Sequence, residues 1–213
     1  MTKILVTGGA GFIGAHLTSH LIQNKHQVLV VDNLSTIGGI KFINKKSKFI
    51  KGDLLDDDIL KKIQIWKPKI IFHLAAQSAG ESAYDNPKKD FLSNGFATFK
   101  LCKMAKKIRL KHFIYTSSVA IYGSYSQKII KEQDRVSPDS IYGVSKYSGE
   151  MFVDQIFKKT QTKTTIFRLS NIYGPGENLN YTKKGMVKIY SSYIWKKKPI
   201  IVKGSKKRVR TIT

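Results

Sequence analysis

The stretch Thr7-Gly8-Gly9-Ala10-Gly11-Phe12-Ile13-Gly14 separates a short run typical of a β-strand, residues 3–7, from a segment with helical periodicity. Glycines at these positions allow a tight turn, the close approach of a phosphate group to the backbone, and close packing of a helix on a strand. The N-terminus of that helix offers free N–H groups and a positive partial charge to an anion. The stretch therefore predicts a phosphate-binding turn in a βαβ unit.

Asp32 makes the ligand of this turn more specific. It lies at the end of the second predicted strand, residues 27–32. A carboxylate in that place can accept hydrogen bonds from the hydroxyl groups of an adenosine ribose, and it repels a 2′-phosphate. Together with Gly8, Gly11 and Gly14, Asp32 predicts a dinucleotide site that prefers NAD to NADP.

Runs rich in Val and Ile alternate with amphipathic segments along the rest of the chain, which is typical of parallel βαβ units. The predicted strands are residues 3–7, 27–32, 49–51, 70–75, 112–117 and 164–169, and the predicted helices are residues 12–24, 57–64, 91–107, 141–159 and 186–195. Right-handed crossovers between such strands predict an α/β fold with a doubly wound parallel sheet, the NAD(P)-binding Rossmann fold.

A change in composition after Tyr173 predicts a domain boundary. Gly174-Pro175-Gly176 interrupts the periodic pattern, and a polar loop follows it. Residues 1–173 are therefore assigned to an NAD-binding domain and residues 174–213 to the start of a substrate-binding domain.

Two further segments carry groups that suit proton transfer. Tyr142 and Lys146 stand four residues apart, so a helix places both on one face, where the cation is expected to lower the pKa of the phenol. Tyr142 is then a candidate acid/base and Lys146 its tuning group. Ser118 follows the fifth predicted strand, where parallel α/β sheets present their ligand sites. A chance Y-x-x-x-K pattern on a lysine-rich surface is the alternative when this motif is considered alone.

The order of these motifs resembles the extended short-chain dehydrogenase/reductase family, the NAD-dependent epimerases and dehydratases, and within it nucleotide-sugar epimerases of the UDP-glucose 4-epimerase type. The resemblance rests on residues 7–14, 32–35, 52–54, 73–82, 116–123, 142–146, 171–179, 184–187 and 203–205.

The resemblance implies a role for each matching residue. The implied cofactor-binding residues are Gly8, Gly11, Phe12, Ile13, Gly14, Asp32, Asn33, Asp53, Leu54, Leu74, Ala75, Ala76, Asn94, Tyr142, Lys146 and Ser170. The implied catalytic residues are Ser118, Tyr142 and Lys146. The implied substrate contacts are Ser118, Asn171 and Arg210, where a guanidinium suits a diphosphate. The family also implies a homodimer.

The implied reaction inverts C4 of a UDP-sugar: Tyr142 removes a hydroxyl proton while C4 passes a hydride to NAD, and the hydride returns to the other face of the keto sugar. Related 4,6-dehydratases carry Thr-Asp-Glu where this chain has Ser118, Val119 and Ala120, so elimination of water would lack its acid and base. Two alternatives stay open: a related oxidoreductase or synthase on another nucleotide sugar, and a non-catalytic NAD-binding fragment.

Family members normally read Asp-Phe after the position of Arg210 and continue for roughly another third of their length. This chain instead reads Thr211-Ile212-Thr213. The resemblance therefore predicts that the C-terminal substrate domain is incomplete.

Composition limits the other classes of function. The net charge is +24, but the lysines are spread along the chain, which predicts a solvated surface and no specific nucleic-acid site. The basic groups 196–198 and 203–210 could face an anionic sugar nucleotide. One cysteine, Cys102, and the absence of zinc-ligand spacing predict a reducing compartment and no metal. No signal-like start and no apolar run of membrane-spanning length are present, so we expect a cytoplasmic protein that does not bind a membrane.

Overall fold

The computed structural model describes residues 1–35, 39–78, 80–124, 129–177 and 185–200. Six strands form one sheet in the order β3-β2-β1-β4-β5-β6. They are β1 Lys3–Thr7, β2 Gln27–Asp32, β3 Lys48–Lys51, β4 Ile70–His73, β5 His112–Ser118 and β6 Lys163–Leu169. Strand β1 pairs in parallel with both β2 and β4, so the strand order reverses direction beside β1. This is the doubly wound arrangement, and the predicted fold class is confirmed.

Helices connect the strands. They are α1 Phe12–Gln23, α2 Asp57–Trp66, α3 Gly80–Asp85, α4 Pro87–Phe91, α5 Ala97–Lys106, α6 Ile141–Phe157 and α7 Met186–Trp195. Alternate side chains of the strands point to opposite faces, and each face has its own core. Val6 and Val30 pack with Leu21 of α1. Leu5 and Leu29 belong to the larger cluster with residues of α2, α5 and α6. Because both faces of the sheet are buried, the strand sequences are almost continuously apolar.

The structure differs from the sequence prediction mainly around α4. The predicted helix at residues 91–107 begins earlier, because Asn86 accepts a hydrogen bond from the Lys89 amide and Pro87 occupies the first turn. A π-helical turn, Leu92–Phe96, then joins α4 to α5. Helix α3 and two 3₁₀ turns, Gly39–Phe42 and Val119–Tyr122, were not predicted.

By internal contacts the chain divides into two compact units, Met1–Arg168 and Leu169–Thr213. The first contains the sheet up to the last residues of β6, and the second contains α7. In the ranges that the structure describes, no helix combines the length and apolar character needed to cross a bilayer.

Candidate cofactor and catalytic site

The glycine turn closes tightly on the end of β4. Gly8 has φ +71°, and a Cβ atom there would lie 2.6 Å from the backbone nitrogen of Ala75. Glycine is therefore required both for the left-handed backbone and for the close approach. Gly11 stands at the N-cap of α1 and supplies no side-chain cap, so the first amides of the helix face outward without a side-chain acceptor.

Asp32 fastens the end of β2 to this turn. Its Oδ2 accepts a hydrogen bond from the Ala10 amide at 3.0 Å, and its Oδ1 accepts one from the Leu34 amide at 2.8 Å. Each carboxylate oxygen retains a second lone pair for a ligand hydroxyl. The predicted ribose-binding residue therefore lies beside the predicted phosphate-binding turn, as a dinucleotide requires.

The next two predicted cofactor residues also meet. Asn33 donates a hydrogen bond from Nδ2 to Asp53 Oδ2 at 2.9 Å, and both side chains are exposed. Asp53 also accepts a hydrogen bond from the Leu55 amide. The side chain of Leu54 is 5% exposed and belongs to the core, so only its backbone is placed to contact a ligand.

At the end of β4, His73 joins the glycine turn to α5. Its ring lies 2.7 Å from Thr7 Oγ1 through Nδ1 and 2.9 Å from Thr98 Oγ1 through Nε2. Thr98 donates its own proton to the carbonyl of Asn94, so it must accept from Nε2–H, and Nδ1 accepts from Thr7. Burial lowers the pKa of His73 to about 3, which keeps the ring neutral. The predicted residues Leu74, Ala75 and Ala76 follow it and are partly buried.

Asn94 lies inside the π-helical turn and braces the segment after β4. It exchanges two hydrogen bonds with the backbone of Gln77, at 2.8 Å from the Gln77 amide and 3.0 Å to the Gln77 carbonyl. Its Nδ2 also lies 3.0 Å from Ser145 Oγ in α6. The π turn is a local departure from helical geometry of a kind that recurs at functional sites.

The structure brings the three predicted catalytic residues to one place. Ser118 ends β5, and its hydroxyl accepts a hydrogen bond from the Ala120 amide at 3.2 Å. The Ser118 side chain also acts on the phenol of Tyr142, where it opposes the rise in pKa that burial causes. Tyr142 lies in the first turn of α6, which Ser140 caps by accepting from the Gly143 amide, and Lys146 follows one turn later.

The expected lowering of the Tyr142 pKa is wrong for this structure. Burial raises the pKa of Tyr142 to about 12, and the hydrogen bond from Ser118 opposes this shift only in part. Burial also lowers the pKa of Lys146 to about 7, against the charges of Asp90 and Glu150. The Lys146 ammonium lies 4.5 Å from the centre of the Tyr115 ring. Sequence spacing predicted the proximity of the pair but not its desolvation.

The remaining predicted residues belong to the second unit or lie beyond the described ranges. Ser170 and Asn171 stand at the start of that unit and are partly buried. Arg210 lies outside the described residues. Within the described residues, no group of three or more His, Cys, Asp or Glu side chains is placed to hold a metal ion.

Sequence reasoning missed Asp90 and Ser145, which are buried beside Asn94. Asp90 Oδ2 lies 2.5 Å from Ser145 Oγ, and Asp90 Oδ1 lies 3.2 Å from Asn94 Nδ2. A signal for both was present: Asp90 precedes Asn94 by one helical turn, and Ser145 stands next to Lys146.

The turn, the uncapped helix N-terminus and Asp32 suit the pyrophosphate and ribose of a dinucleotide. Residues 4–213 match the NAD dependent epimerase/dehydratase family. The chain belongs to this family. Membership in an NAD-dependent family confirms the prediction of NAD as the cofactor.

The individual relatives of this chain include both epimerases and dehydratases, in agreement with the family assignment. A UDP-glucose 4-epimerase from Thermotoga maritima, solved with UDP-glucose, is 33% identical with a TM-score of 0.93, over 99% of this chain and 68% of that protein. A UDP-glucose 4-epimerase from Mycolicibacterium smegmatis is 31% identical over 89% of this chain and 62% of its own length. A dTDP-D-glucose 4,6-dehydratase from Dictyostelium discoideum is 33% identical over 81% of this chain and 44% of its own length. The chain thus spans about two thirds or less of these relatives.

We expect the buried Lys146 to make stability depend on pH. Because the fold lowers the pKa of Lys146 from 10.5 to about 7, the unfolded chain binds more protons than the folded chain between these values, and stability rises with pH there. One such group contributes at most about 1.4 kcal/mol per pH unit. Lys146→Met should remove this contribution to the rise in unfolding free energy from pH 7 to pH 9, measured by urea denaturation.

The matched control for that experiment is Lys61→Met, which replaces a lysine whose side chain is 70% exposed. It should keep the wild-type slope. Equal slopes for wild type and Lys146→Met would show that Lys146 stays protonated in the fold across this range.

Proposed function

We propose that this chain is the cofactor-binding part of an NAD-dependent nucleotide-sugar epimerase that inverts C4 of a UDP-sugar. The observation that carries the proposal is the convergence of Ser118 at the end of β5 with Tyr142 in the first turn of α6: the Ser118 side chain acts to lower the pKa of the phenol, and Lys146 follows one helical turn later. These groups stand at the carboxyl ends of parallel strands, the edge of the sheet to which the glycine turn and Asp32 also belong.

The side chains have distinct proposed tasks. The phenol of Tyr142, with a pKa raised by burial to about 12, is protonated at neutral pH and can donate its proton to a sugar oxygen. To accept a proton instead, it needs the phenolate to be stabilised, and the Ser118 hydroxyl and a Lys146 ammonium are the groups proposed for this. Bound NAD would supply hydride acceptance and return at C4.

The residues after Ser118 favour epimerisation over dehydration. Related dehydratases carry acidic residues at the positions of Val119 and Ala120, and both of these form the 3₁₀ turn that Ser118 caps. Neither side chain can donate or accept a proton. A dehydratase would therefore need its acid and base from elsewhere.

The substrate side of the proposal involves the second unit. Residues 174–213 are proposed as the start of a substrate-binding domain, with Asn171 and Arg210 as contacts to the sugar nucleotide alongside Ser118. Ser170 is proposed to meet the nicotinamide end of NAD. The UDP-glucose bound to the Thermotoga maritima epimerase supports a UDP-sugar as the substrate class.

Two other functions are alternatives to this proposal. Because the chain spans 62% of the Mycolicibacterium smegmatis epimerase, a non-catalytic NAD-binding fragment is the first alternative. The match to a 4,6-dehydratase makes a related oxidoreductase on another nucleotide sugar the second.

A homodimer is proposed as the assembly. Four large apolar side chains are exposed on the adjoining surfaces of α4, the π turn and α6: Phe91, Phe96, Val144 and Met151 are 44%, 38%, 53% and 52% exposed. A contiguous exposed apolar patch is typical of a protein–protein contact, and these four side chains are proposed to form one. Sedimentation velocity should give twice the mass of 24.1 kDa, and Met151→Asp should shift the protein toward monomer. A wild-type monomer would contradict the proposal.

We expect Asp32→Ala to weaken NAD binding about tenfold or more, because a charged hydrogen-bond acceptor for the ribose is lost. Discrimination against NADP should fall at the same time, since the carboxylate no longer repels the 2′-phosphate. Isothermal titration calorimetry of the 213-residue chain with both dinucleotides measures this. Asp58→Asn, a change at an exposed carboxylate on α2, is the control. No NAD binding by the folded wild type would refute the proposed site.

Tyr142→Phe is expected to lower kcat about a hundredfold or more in an assay that follows interconversion of UDP-glucose and UDP-galactose, because the acid/base is removed. Tyr84→Phe, at a tyrosine that is 61% exposed, should retain wild-type turnover.

Asn171→Ala should raise KM more than it lowers kcat, because Asn171 is proposed to contact the sugar nucleotide. NAD binding without turnover of any nucleotide sugar would favour the non-catalytic fragment, and a dehydrated product would favour the dehydratase.

A further inference from the structure

Asp90 is a buried carboxylate that the proposed reaction does not use. Its side chain is fully buried in α4, and burial raises its pKa, while hydrogen bonds from Ser145 and Asn94 and the charge of Lys146 oppose the rise. The ion pairs of the described residues join Lys61 with Asp58, Lys100 with Asp57 and Arg168 with Glu150, and they leave out Asp90. A buried carboxylate without an ion pair needs a compensating environment, because desolvation of a charge is costly.

Hydrogen bonds fix this carboxylate against the catalytic turn of α6. Ser145 Oγ lies 2.5 Å from Asp90 Oδ2 and 3.0 Å from the carbonyl of Tyr142. The hydroxyl has one proton, and a carboxylate is the stronger acceptor, so Ser145 donates to Asp90. Asn94 Nδ2 lies 3.0 Å from Ser145 Oγ and 3.2 Å from Asp90 Oδ1, on the other side of the same cluster. Asp90 is thus hydrogen-bonded to Ser145, which lies between Tyr142 and Lys146 in α6.

The groups around Lys146 leave Asp90 as its available negative charge. His73 and Tyr115 face Lys146 from the sheet, and burial keeps both neutral, because it lowers the pKa of His73 to about 3 and raises that of Tyr115. Tyr142 on the same helix is also neutral near pH 7.

Glu150, one turn further along α6, is the second carboxylate that acts on Lys146. Its Oε2 lies 2.9 Å from the guanidinium of Arg168, and Arg168 Nε also lies near both of its oxygens. The charge of Glu150 is therefore largely compensated by an arginine, whereas that of Asp90 is shared only with hydrogen-bond donors.

We propose that Asp90 is the counter-charge of Lys146 and a positioning residue for the Tyr142–Lys146 turn; its part in catalysis rests on the proposed epimerase function. The negative charge of the carboxylate favours the protonated form of Lys146, which the apolar surroundings oppose. Through Ser145 it also fixes the turn of α6 that presents Tyr142 and Lys146. Asp90 touches neither the substrate nor the cofactor in this scheme.

The test is a titration of Lys146 in the 213-residue chain, without cofactor, by NMR of lysine labelled with ¹³C at Cε. The Lys146 signal is assigned by its loss in Lys146→Met. Asp90→Asn is expected to lower the titration midpoint of Lys146 by about one pH unit or more. Ser145→Ala keeps the charge and should shift the midpoint much less, and Asp58→Asn should not shift it. In an active enzyme, the pH above which kcat falls should be lower in Asp90→Asn than in the wild type. The decrease should match the decrease in the titration midpoint of Lys146.

An unchanged Lys146 midpoint in folded Asp90→Asn, or equal shifts in Asp90→Asn and Ser145→Ala, would overturn the counter-charge role. If Asp90→Asn does not fold, the reciprocal measurement decides: Lys146→Met should raise the pKa of the Asp90 carboxyl, followed by ¹³C NMR of its Cγ, and no rise would overturn the proposal. These titrations need neither sugar nor turnover. A chain without epimerase activity can therefore still show the effect of Asp90 on the titration of Lys146, and an active chain can still lack that effect.

Discussion

The site depends on one continuous chain of buried hydrogen bonds at the carboxyl end of the sheet. The Ala75 amide donates to Thr7, Thr7 to His73, His73 to Thr98, and Thr98 to the carbonyl of Asn94. Each donor finds an acceptor only with one ring tautomer of His73. Because an unsatisfied buried polar group costs about 1–3 kcal/mol, the strand end, the glycine turn and the π turn are held in one arrangement. Neutrality of His73 is a condition of that arrangement, since a proton on Nδ1 would remove the acceptor of the Thr7 hydroxyl proton.

Local sequence was sufficient to predict which residues lie together at the candidate cofactor site. Gly8 and Asp32 act through contacts that their own chemistry dictates: a positive φ beside another strand, and a carboxylate that accepts from the amides of a turn. The alternation of strands and helices likewise follows from burial of the sheet on both faces. The predicted end of β4 was too late, because Leu74 and Ala75 remain apolar after they leave the sheet to approach Gly8.

The arrangement of the candidate catalytic residues could be predicted only in part, because their properties come from tertiary packing. The spacing of Tyr142 and Lys146 correctly placed them one turn apart on α6. It could not indicate that both would be desolvated, and desolvation reverses the expected change in the pKa of Tyr142. The π turn was equally hidden, since no residue pattern distinguishes it from a regular helix. The sequence marks Asp90 only by its position one helical turn before Asn94, and its burial depends on packing against α6.

The hydrogen bond that Ser118 accepts helps to explain how the partly buried Tyr142 could still exchange a proton. Ser118 accepts from the Ala120 amide, so its single proton is free for the oxygen of Tyr142. A donor fixed on that oxygen stabilises the phenolate more than the phenol, which opposes the effect of burial. The 3₁₀ turn after β5 therefore contributes to the proton affinity of Tyr142, and Ala120 takes part in this through its backbone amide, which fixes the Ser118 hydroxyl.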